Sequence, residues 1–351
     1  MSTETSSSNS VPAYNRKDFQ SDQMVRWCPG CGDYSILAQL QKVMPEICAQ
    51  QGIAKEKVVF ISGIGCSSRF PYYMNTYGFH TIHGRAPTIA TGLAVARPDL
   101  HIWVITGDGD ALSIGGNHFI HTMRRNINLK VLLFNNRIYG LTKGQYSPTS
   151  EKGKRTKSSP MGSIEEPINP LHTALHNGAT FAARAIATDS KHLQHVLKRT
   201  AAHRGTAFVE IFQNCNVFND SAFAYFADRE NMAEHTLYLE HDKPVLFGKN
   251  KDKTLMVRIG AHGFEPAVVN VSDIPEQDIV IFKEDREPNY FARFLAQMND
   301  REYPVPLGIY KSVRKPSYED LLDEQVATAM TQYGRVDFLK YLEQGDTWEV
   351  K

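Results

Sequence analysis

Two turns in this chain carry residues that could do chemistry. Gly107-Asp108-Gly109-Asp110 follows one apolar run, and Asn135-Asn136 follows the next. Gly107 and Gly109 let the backbone approach a phosphate closely and offer unhindered N–H groups. Asp108 and the amide oxygen of Asn136 are hard oxygen ligands of the kind Mg²⁺ takes, with phosphate oxygens, water and a carbonyl completing the octahedron. A helix beginning near Gly116 would add its positive end. Either turn alone is ordinary loop chemistry. Together, one crossover apart and each closing an apolar strand, they predict a magnesium diphosphate anchor.

The second set is sulfur. The chain has five cysteines, Cys28, Cys31, Cys48, Cys66 and Cys215. An odd count in a chain without an evident export signal argues for thiols or metal ligands rather than disulfides. Cys28-Pro29-Gly30-Cys31 suits a zinc knuckle, a redox dithiol or an iron–sulfur site. Cys66 follows the run Val58-Val59-Phe60-Ile61-Ser62 and its turn Gly63-Ile64-Gly65, and Cys215 closes another strand at Phe212-Gln213-Asn214. Both are thereby expected at the sheet edge that carries the anchor, where an electron acceptor has more reason to be than a structural ion. Spacing alone leaves zinc open, because four thiolates suit either. Cys48, within Ile47-Cys48-Ala49, reads as a small core residue.

The elements that must hold these turns alternate. Helical spacing predicts a helix over 35–50, kinked or divided at Pro45, then a buried strand over 58–62. A close-packed helix over 86–96, a strand over 101–106, a helix over 116–126 and a strand over 130–135 follow. Residues 144–170 are polar and proline-containing, with Lys152, Lys154, Arg155 and Lys157, and read as a long mobile loop. A helix over 189–202 and a strand over 206–213 resume the pattern. The fold class is therefore α/β, a three-layer parallel sheet with chemistry at its carboxyl edge. The expected organisation is a disordered tail over 1–20, a cofactor domain over 21–225 and a C-terminal extension over 226–351. That extension should hold a hairpin over 245–259, a helix over 317–333 and a polar terminus.

Bulk properties exclude more than they assign. The 351 residues are 42% hydrophobic and 22% charged, with a formal net charge of +1. Such a balance predicts no pull toward nucleic acid or an anionic membrane. No apolar run reaches the ~20 residues of a bilayer span. The Ser- and Thr-rich start lacks the apolar stretch of a secretion signal, which makes the cytoplasm the default expectation.

The Gly-Asp-Gly and Asn-Asn pair resembles the thiamine-diphosphate signature of transketolases, pyruvate decarboxylases and their relatives. That resemblance implies Asp108, Asn136 and the carbonyl of Ile138 as Mg²⁺ ligands. Gly107, Gly109, Asp110, Gly140 and Leu141 would lie on the cofactor. A longer ordered set runs through Trp27-Cys-Pro-Gly-Cys-Gly, Gly63-Ile-Gly-Cys-Ser-Ser-Arg, His83-Gly-Arg-Ala, Gly-Asp-Gly-Asp and Tyr139-Gly-Leu-Thr-Lys-Gly-Gln. Across roughly residues 20 to 220 it resembles the beta subunits of 2-oxoacid:ferredoxin oxidoreductases.

The resemblance implies one [4Fe–4S] cluster on Cys28, Cys31, Cys66 and Cys215. It also implies cofactor contacts from Ile64, Gly65, Cys66, Ser67 and His83. Lys143 and Arg69 would meet the substrate carboxylate, and two cations favour a dicarboxylate such as 2-oxoglutarate over pyruvate. The implied reaction is coenzyme A-dependent oxidative decarboxylation, with electrons leaving singly to a ferredoxin. No glutamate is assignable to the thiamine pyrimidine, so an alpha subunit is expected to supply it, along with most of the substrate pocket and the coenzyme A site. Two rival readings are a non-redox thiamine decarboxylase or synthase subunit and a protein stabilised by Cys₄ zinc.

Overall fold

The computed structural model describes residues 12–260, 263–298 and 302–350. An eight-stranded sheet forms the middle layer, built from β1 (Val58–Ser62), β2 (Tyr77–His80), β3 (His101–Gly107), β4 (Leu129–Asn135), β5 (Phe181–Ile186), β6 (Ala207–Phe212), β7 (Thr236–Leu239) and, after the short sheet below, β11 (Val305–Ser312). Its order is β2-β1-β3-β4-β6-β5-β11-β7. The first six strands are parallel. The sheet is mixed rather than wholly parallel, because β11 runs antiparallel to β5 and parallel to β7. Every residue of β1, β4, β5 and β6 is buried, as covered parallel strands require. The edge strand β2 is exposed along its whole length.

Helices cover both faces. On one side lie α1 (Asp33–Gln51) and, later in the chain, α6 (Ser190–Ala202); on the other lie α2 (Ala86–Ala96), α4 (Gly116–Arg125), α5 (Pro170–His176) and α9 (Tyr290–Ala296). The short α3 (Asp108–Leu112) opens at the end of β3, and α7 (Ala224–Ala227) and α8 (Arg229–His235) lead into β7. In α2, Ala86, Ala90 and Ala94 recur every fourth residue and are buried, so their small side chains let the helix sit close on the sheet. Pro45 lies inside α1, which runs through it as one helix. Glycine terminates α1 at Gly52, with φ +65° and an N–H donated to the Cys48 carbonyl, the left-handed cap glycine accepts without strain.

The tail and the extension both differ from expectation. Residues 1–11 of the expected tail lie outside the described residues. The next part packs: Arg16–Phe19 forms a 3₁₀ turn, and Phe19 is fully buried in the α1 layer. Beyond residue 225 the chain is more than an appendage, since β7 and β11 complete the main sheet. The hairpin is β9 (Lys253–Gly260) against β10 (Gly263–Asn270), with β8 (Leu246–Phe247) pairing on β9. It therefore lies later than the 245–259 expected. The last helices are α10 (Tyr318–Tyr333) and α11 (Phe338–Leu342). Among the described residues no helix is long and apolar enough to cross a membrane.

The 144–170 segment holds no long element but is folded rather than loose. Ser147, Thr149, Ser150 and Ser163 are buried, and Ser150 Oγ donates to the Arg137 carbonyl at 2.6 Å. These four residues are held by other polar groups of the protein, while Lys152, Arg155 and Lys157 stay exposed, and polarity alone did not distinguish the two kinds.

Candidate active site

β1, β3, β4 and β6 are consecutive neighbours in the sheet, and each ends in one of the turns singled out above. Cys66 follows β1, Asp108 follows β3, Asn136 follows β4 and Cys215 follows β6. The crevice beyond the carboxyl ends of such strands is where open α/β sheets bind ligands. Two adjoining cavities occupy it here.

The larger cavity, about 520 Å³, is floored by Gly107, Asp108, Gly109 and Asp110. Asn136, Ile138, Gly140 and Leu141 wall one side, and Ile64, Gly65, Cys66, Ser67 and His83 wall the other. All the residues expected at the cofactor and at Mg²⁺ meet here. Asp108 is 3% exposed, and its Oδ2 accepts from Ser147 Oγ and Thr149 Oγ1, both at 2.6 Å. Burial pushes its carboxyl above the ordinary range, and the two hydroxyls and the Gly109 N–H pull the other way. The helix expected to start near Gly116 is preceded by α3, so the backbone turns helical at Asp108 itself.

Asp110 lines the same cavity but spends its oxygens within the protein. Oδ1 accepts from the N–H groups of Ile64 (3.1 Å) and Gly84 (2.7 Å) and pairs with His83 Nδ1 (2.6 Å), while Oδ2 accepts from Thr106 Oγ1 at 2.7 Å. It is a bolt joining the turns after β1, β2 and β3. A carboxylate can only accept, so His83 Nδ1 carries a proton toward Asp110. Gly109 is required for space: a Cβ there would lie 2.2 Å from the Tyr139 ring, whose hydroxyl donates to the Gly109 carbonyl at 3.1 Å. Ser67 Oγ is buried and without a hydrogen-bond partner on the cavity wall.

The second cavity, about 230 Å³, is lined by Cys28, Cys31, Cys66 and Cys215. It shares Cys66, Asn136, Gly140, Leu141 and Gln213 with the first. Within that wall Gly140 lies against the sulfurs, since a Cβ there would stand 3.3 Å from Cys66 Sγ and 3.7 Å from Cys215 Sγ. Trp27 Nε1 donates to the Cys66 carbonyl at 2.7 Å and ties the two cysteine turns together. Burial pushes the Cys66 thiol up to about 12, and Asp33, Cys215 and Cys28 push the same way against Arg69. Burial raises the Cys31 thiol too, with Asp33, Cys66 and Cys215 adding to it. Among the described residues no three His, Cys, Asp or Glu side chains converge as around one ion. Cys48 is fully buried in α1 and lines neither cavity.

Arg69 and Lys143 line the cysteine cavity rather than the larger one. They would meet a substrate in the first cavity only across the shared wall. Sequence reasoning passed over Ser147, Thr149, Trp27, Tyr139 and Gln213. Trp27 and Tyr139 stood inside quoted motifs, whereas the hydroxyls at 147 and 149 carried no signal of their own.

Residues 63–211 match the family described as thiamine pyrophosphate enzyme, C-terminal TPP binding domain. The 2-oxoglutarate oxidoreductase subunit KorB of Mycobacterium tuberculosis is 50% identical over 95% of this chain and 88% of that protein. The chain belongs to the beta subunits of the 2-oxoacid:ferredoxin oxidoreductases. This beta subunit is also 44% identical to subunit beta of an Aeropyrum pernix 2-oxoacid:ferredoxin oxidoreductase, over 57% of this chain and 62% of that one. A solved structure of 2-oxoglutarate:ferredoxin oxidoreductase from Magnetococcus marinus, with 2-oxoglutarate, coenzyme A and succinyl-CoA bound, aligns at TM-score 0.73 and 32% identity. That alignment covers 96% of this chain and 98% of that one. The beta subunit is thus part of an oxidoreductase, carries a thiamine-diphosphate-binding domain and implies an alpha partner.

Proposed function

We propose that this beta subunit holds Mg²⁺, thiamine diphosphate and one [4Fe–4S] cluster. With its alpha subunit and coenzyme A, it oxidatively decarboxylates 2-oxoglutarate and reduces a ferredoxin. The observation that carries the proposal is the shared wall: the cavity lined by four cysteines has Cys66, Asn136, Gly140, Leu141 and Gln213 in common with the cavity that holds Asp108. Thiamine diphosphate supplies the electron sink that lets a 2-oxo acid lose carbon dioxide, and a thiolate-bound cluster beside it supplies a one-electron acceptor.

The residues suit both groups. Asp108 and Asn136, with the Ile138 carbonyl, offer hard oxygens to Mg²⁺, and a divalent cation would reverse the upward push that burial exerts on Asp108. Ser147 and Thr149 fix the Asp108 carboxylate in place. The backbone at Gly107 and Gly109 stays open to a diphosphate, and the unpartnered Ser67 hydroxyl faces the same ligand. Asp110 holds His83 with Nε2 free to act on cofactor or substrate. The four cysteines line one cavity directly beside the larger one, a place suited to a thiolate-bound cluster that accepts electrons.

The 2-oxoglutarate assignment is supported by the names of the Mycobacterium and Magnetococcus proteins rather than by Arg69 and Lys143. The exposed apolar side chains Ile64 and Leu141 on the wall of the larger cavity support an alpha subunit seated over it.

Anaerobically purified complex is expected to be brown, with about four irons per beta chain and negligible zinc. Asp108→Ala should abolish thiamine-diphosphate retention and leave iron largely intact. Colourless protein with one zinc per chain would refute the redox reading, and joint loss of iron and thiamine would refute the separation of the two sites.

A further inference from the structure

The cysteine cavity opens onto an unpaired cationic surface. Its lip is the exposed turn Cys28-Pro29-Gly30, beside the exposed Arg26. Across from it, Lys143 and Phe218 line both this cavity and a neighbouring surface depression of about 450 Å³. That depression is completed by Arg155 and Lys157, with Val217 at its base.

Nearby, Arg137 pairs with Glu151 at 2.8 Å, Lys152 pairs with Glu166 and Lys154 donates to Asn219, while the exposed Glu165 has no ion-pair partner among the described residues. Asp220, which follows nearby, turns to Asn214 Nδ2 and the Ser221 N–H. Arg26, Lys143, Arg155 and Lys157 have no carboxylate partner among the described residues. In a chain of net charge +1, this is a local concentration of positive charge and not a reflection of bulk composition. Val217 and Phe218, 55% and 36% exposed, give the patch an apolar centre within a charged rim, which is how protein-binding surfaces are built.

From this arrangement we infer that the face formed by Arg155, Lys157, Val217 and Phe218 is the docking surface for an acidic one-electron carrier protein. The inference rests on the proposed iron–sulfur reading of the four cysteines. Electron transfer falls steeply with distance, so the acceptor must dock where the cysteine cavity comes to the surface, and that place is the Cys28 turn beside Lys143. Redox encounters are small and transient, and their partners are brought together by complementary charge, which sets the association rate and its salt dependence.

The test uses the assembled alpha–beta complex carrying Arg155→Glu and Lys157→Glu, with Arg155→Gln and Lys157→Gln as a milder pair. The probe is an acidic two-cluster bacterial-type ferredoxin, bound at low salt and followed by calorimetry. The dissociation constant is expected to rise about tenfold or more in the reversal variant and less in the neutral one. The salt dependence of binding should flatten. Substrate-dependent reduction of methyl viologen, a small acceptor that needs no docking face, and the KM for coenzyme A should stay unchanged.

Unaltered ferredoxin binding would overturn the inference. So would a raised KM for coenzyme A, which would assign these cations to its phosphates, or loss of the alpha subunit on gel filtration, which would assign them to the subunit interface. If the unsubstituted complex holds no iron and reduces no viologen, the redox reading itself has failed, and this inference with it.

Discussion

A buried ion pair that lines neither cavity bears on the site. Arg184 on β5 and Glu210 on β6 sit side by side with side-chain exposures of 0% and 1%, and Nε meets Oε2 at 2.8 Å. The guanidinium also donates to Tyr310 Oη on β11 and to Asn169 Oδ1, each at 3.3 Å. From Glu210 the hydrogen bonds run on to the site. Glu210 Oε1 accepts from Asn135 Nδ2 (2.8 Å), and Thr149 Oγ1 shares its single proton between Asp108 Oδ2 (2.6 Å) and Asn135 Oδ1 (3.0 Å).

Arg184→Met leaves a fully desolvated carboxylate without its cation, which costs roughly 3–5 kcal/mol. The two 3.3 Å bonds are long and contribute less, at most about 1 kcal/mol each. Arg184→Met with Glu210→Gln removes both charges, keeps the bond to Asn135 and should cost only about 1–2 kcal/mol. Urea titration of the complex, read by intrinsic fluorescence, measures the series. Magnesium-dependent thiamine-diphosphate retention should fall in the single variant and return in the double. A single variant within about 1 kcal/mol of the parent, or a double variant as costly as the sum of its parts, would show that the pair is not coupled as described.

Replacing Ser147 and Thr149 by Ala and Val frees the Asp108 carboxylate to rotate, and Mg²⁺ affinity measured by calorimetry with thiamine diphosphate present should weaken about 10- to 100-fold. Gly140→Ala places a Cβ 3.3 Å from Cys66 Sγ; iron per chain should drop while far-UV circular dichroism is unchanged, and full iron occupancy would refute the close approach. Lys130 is buried, and desolvation pushes its pKa down to about 7 from 10.5. Between those values the unfolded chain binds more protons, so this group makes stability rise with pH by up to about 1.4 kcal/mol per unit. Stability measured at pH 7, 8 and 9 should rise more steeply in the parent than in Lys130→Met, and identical slopes would refute the burial argument.

How much of this was legible beforehand depended on whether a residue advertised its environment. β1, β3, β4 and β6 are nearly continuous apolar runs, and the turns after them hold Gly, Asp, Asn and Cys, so the strands and the chemistry at their ends could be read together. β2 could not, because an exposed edge strand has no apolar face to show. Nor could β5: Phe181-Ala-Ala-Arg-Ala-Ile mixes small residues with a full charge, and its burial makes sense only once Glu210 stands beside Arg184. β11 was hidden in the same way, with Pro306, Gly308 and Lys311 disguising a strand whose Lys311 pairs with Glu287 at 3.0 Å.

Ser147 and Thr149 belong to the same class. Within a polar, proline-containing stretch they counted toward a mobile loop, yet the fold uses that polarity to hold the buried Asp108. Asp110 lines the cavity, as its place in Gly-Asp-Gly-Asp suggested, but nothing in the sequence signalled that its oxygens also accept from Ile64, Gly84 and Thr106 and pair with His83. Apolar pattern reports burial directly, because removing such surface from water needs no particular partner. A polar side chain is stable inside only with a specific partner, and here that partner is often dozens of residues away. The path from Tyr310 through Arg184, Glu210, Asn135 and Thr149 to Asp108 consists wholly of such pairings, which makes the late strand β11 a support of the site although nothing in its own residues says so.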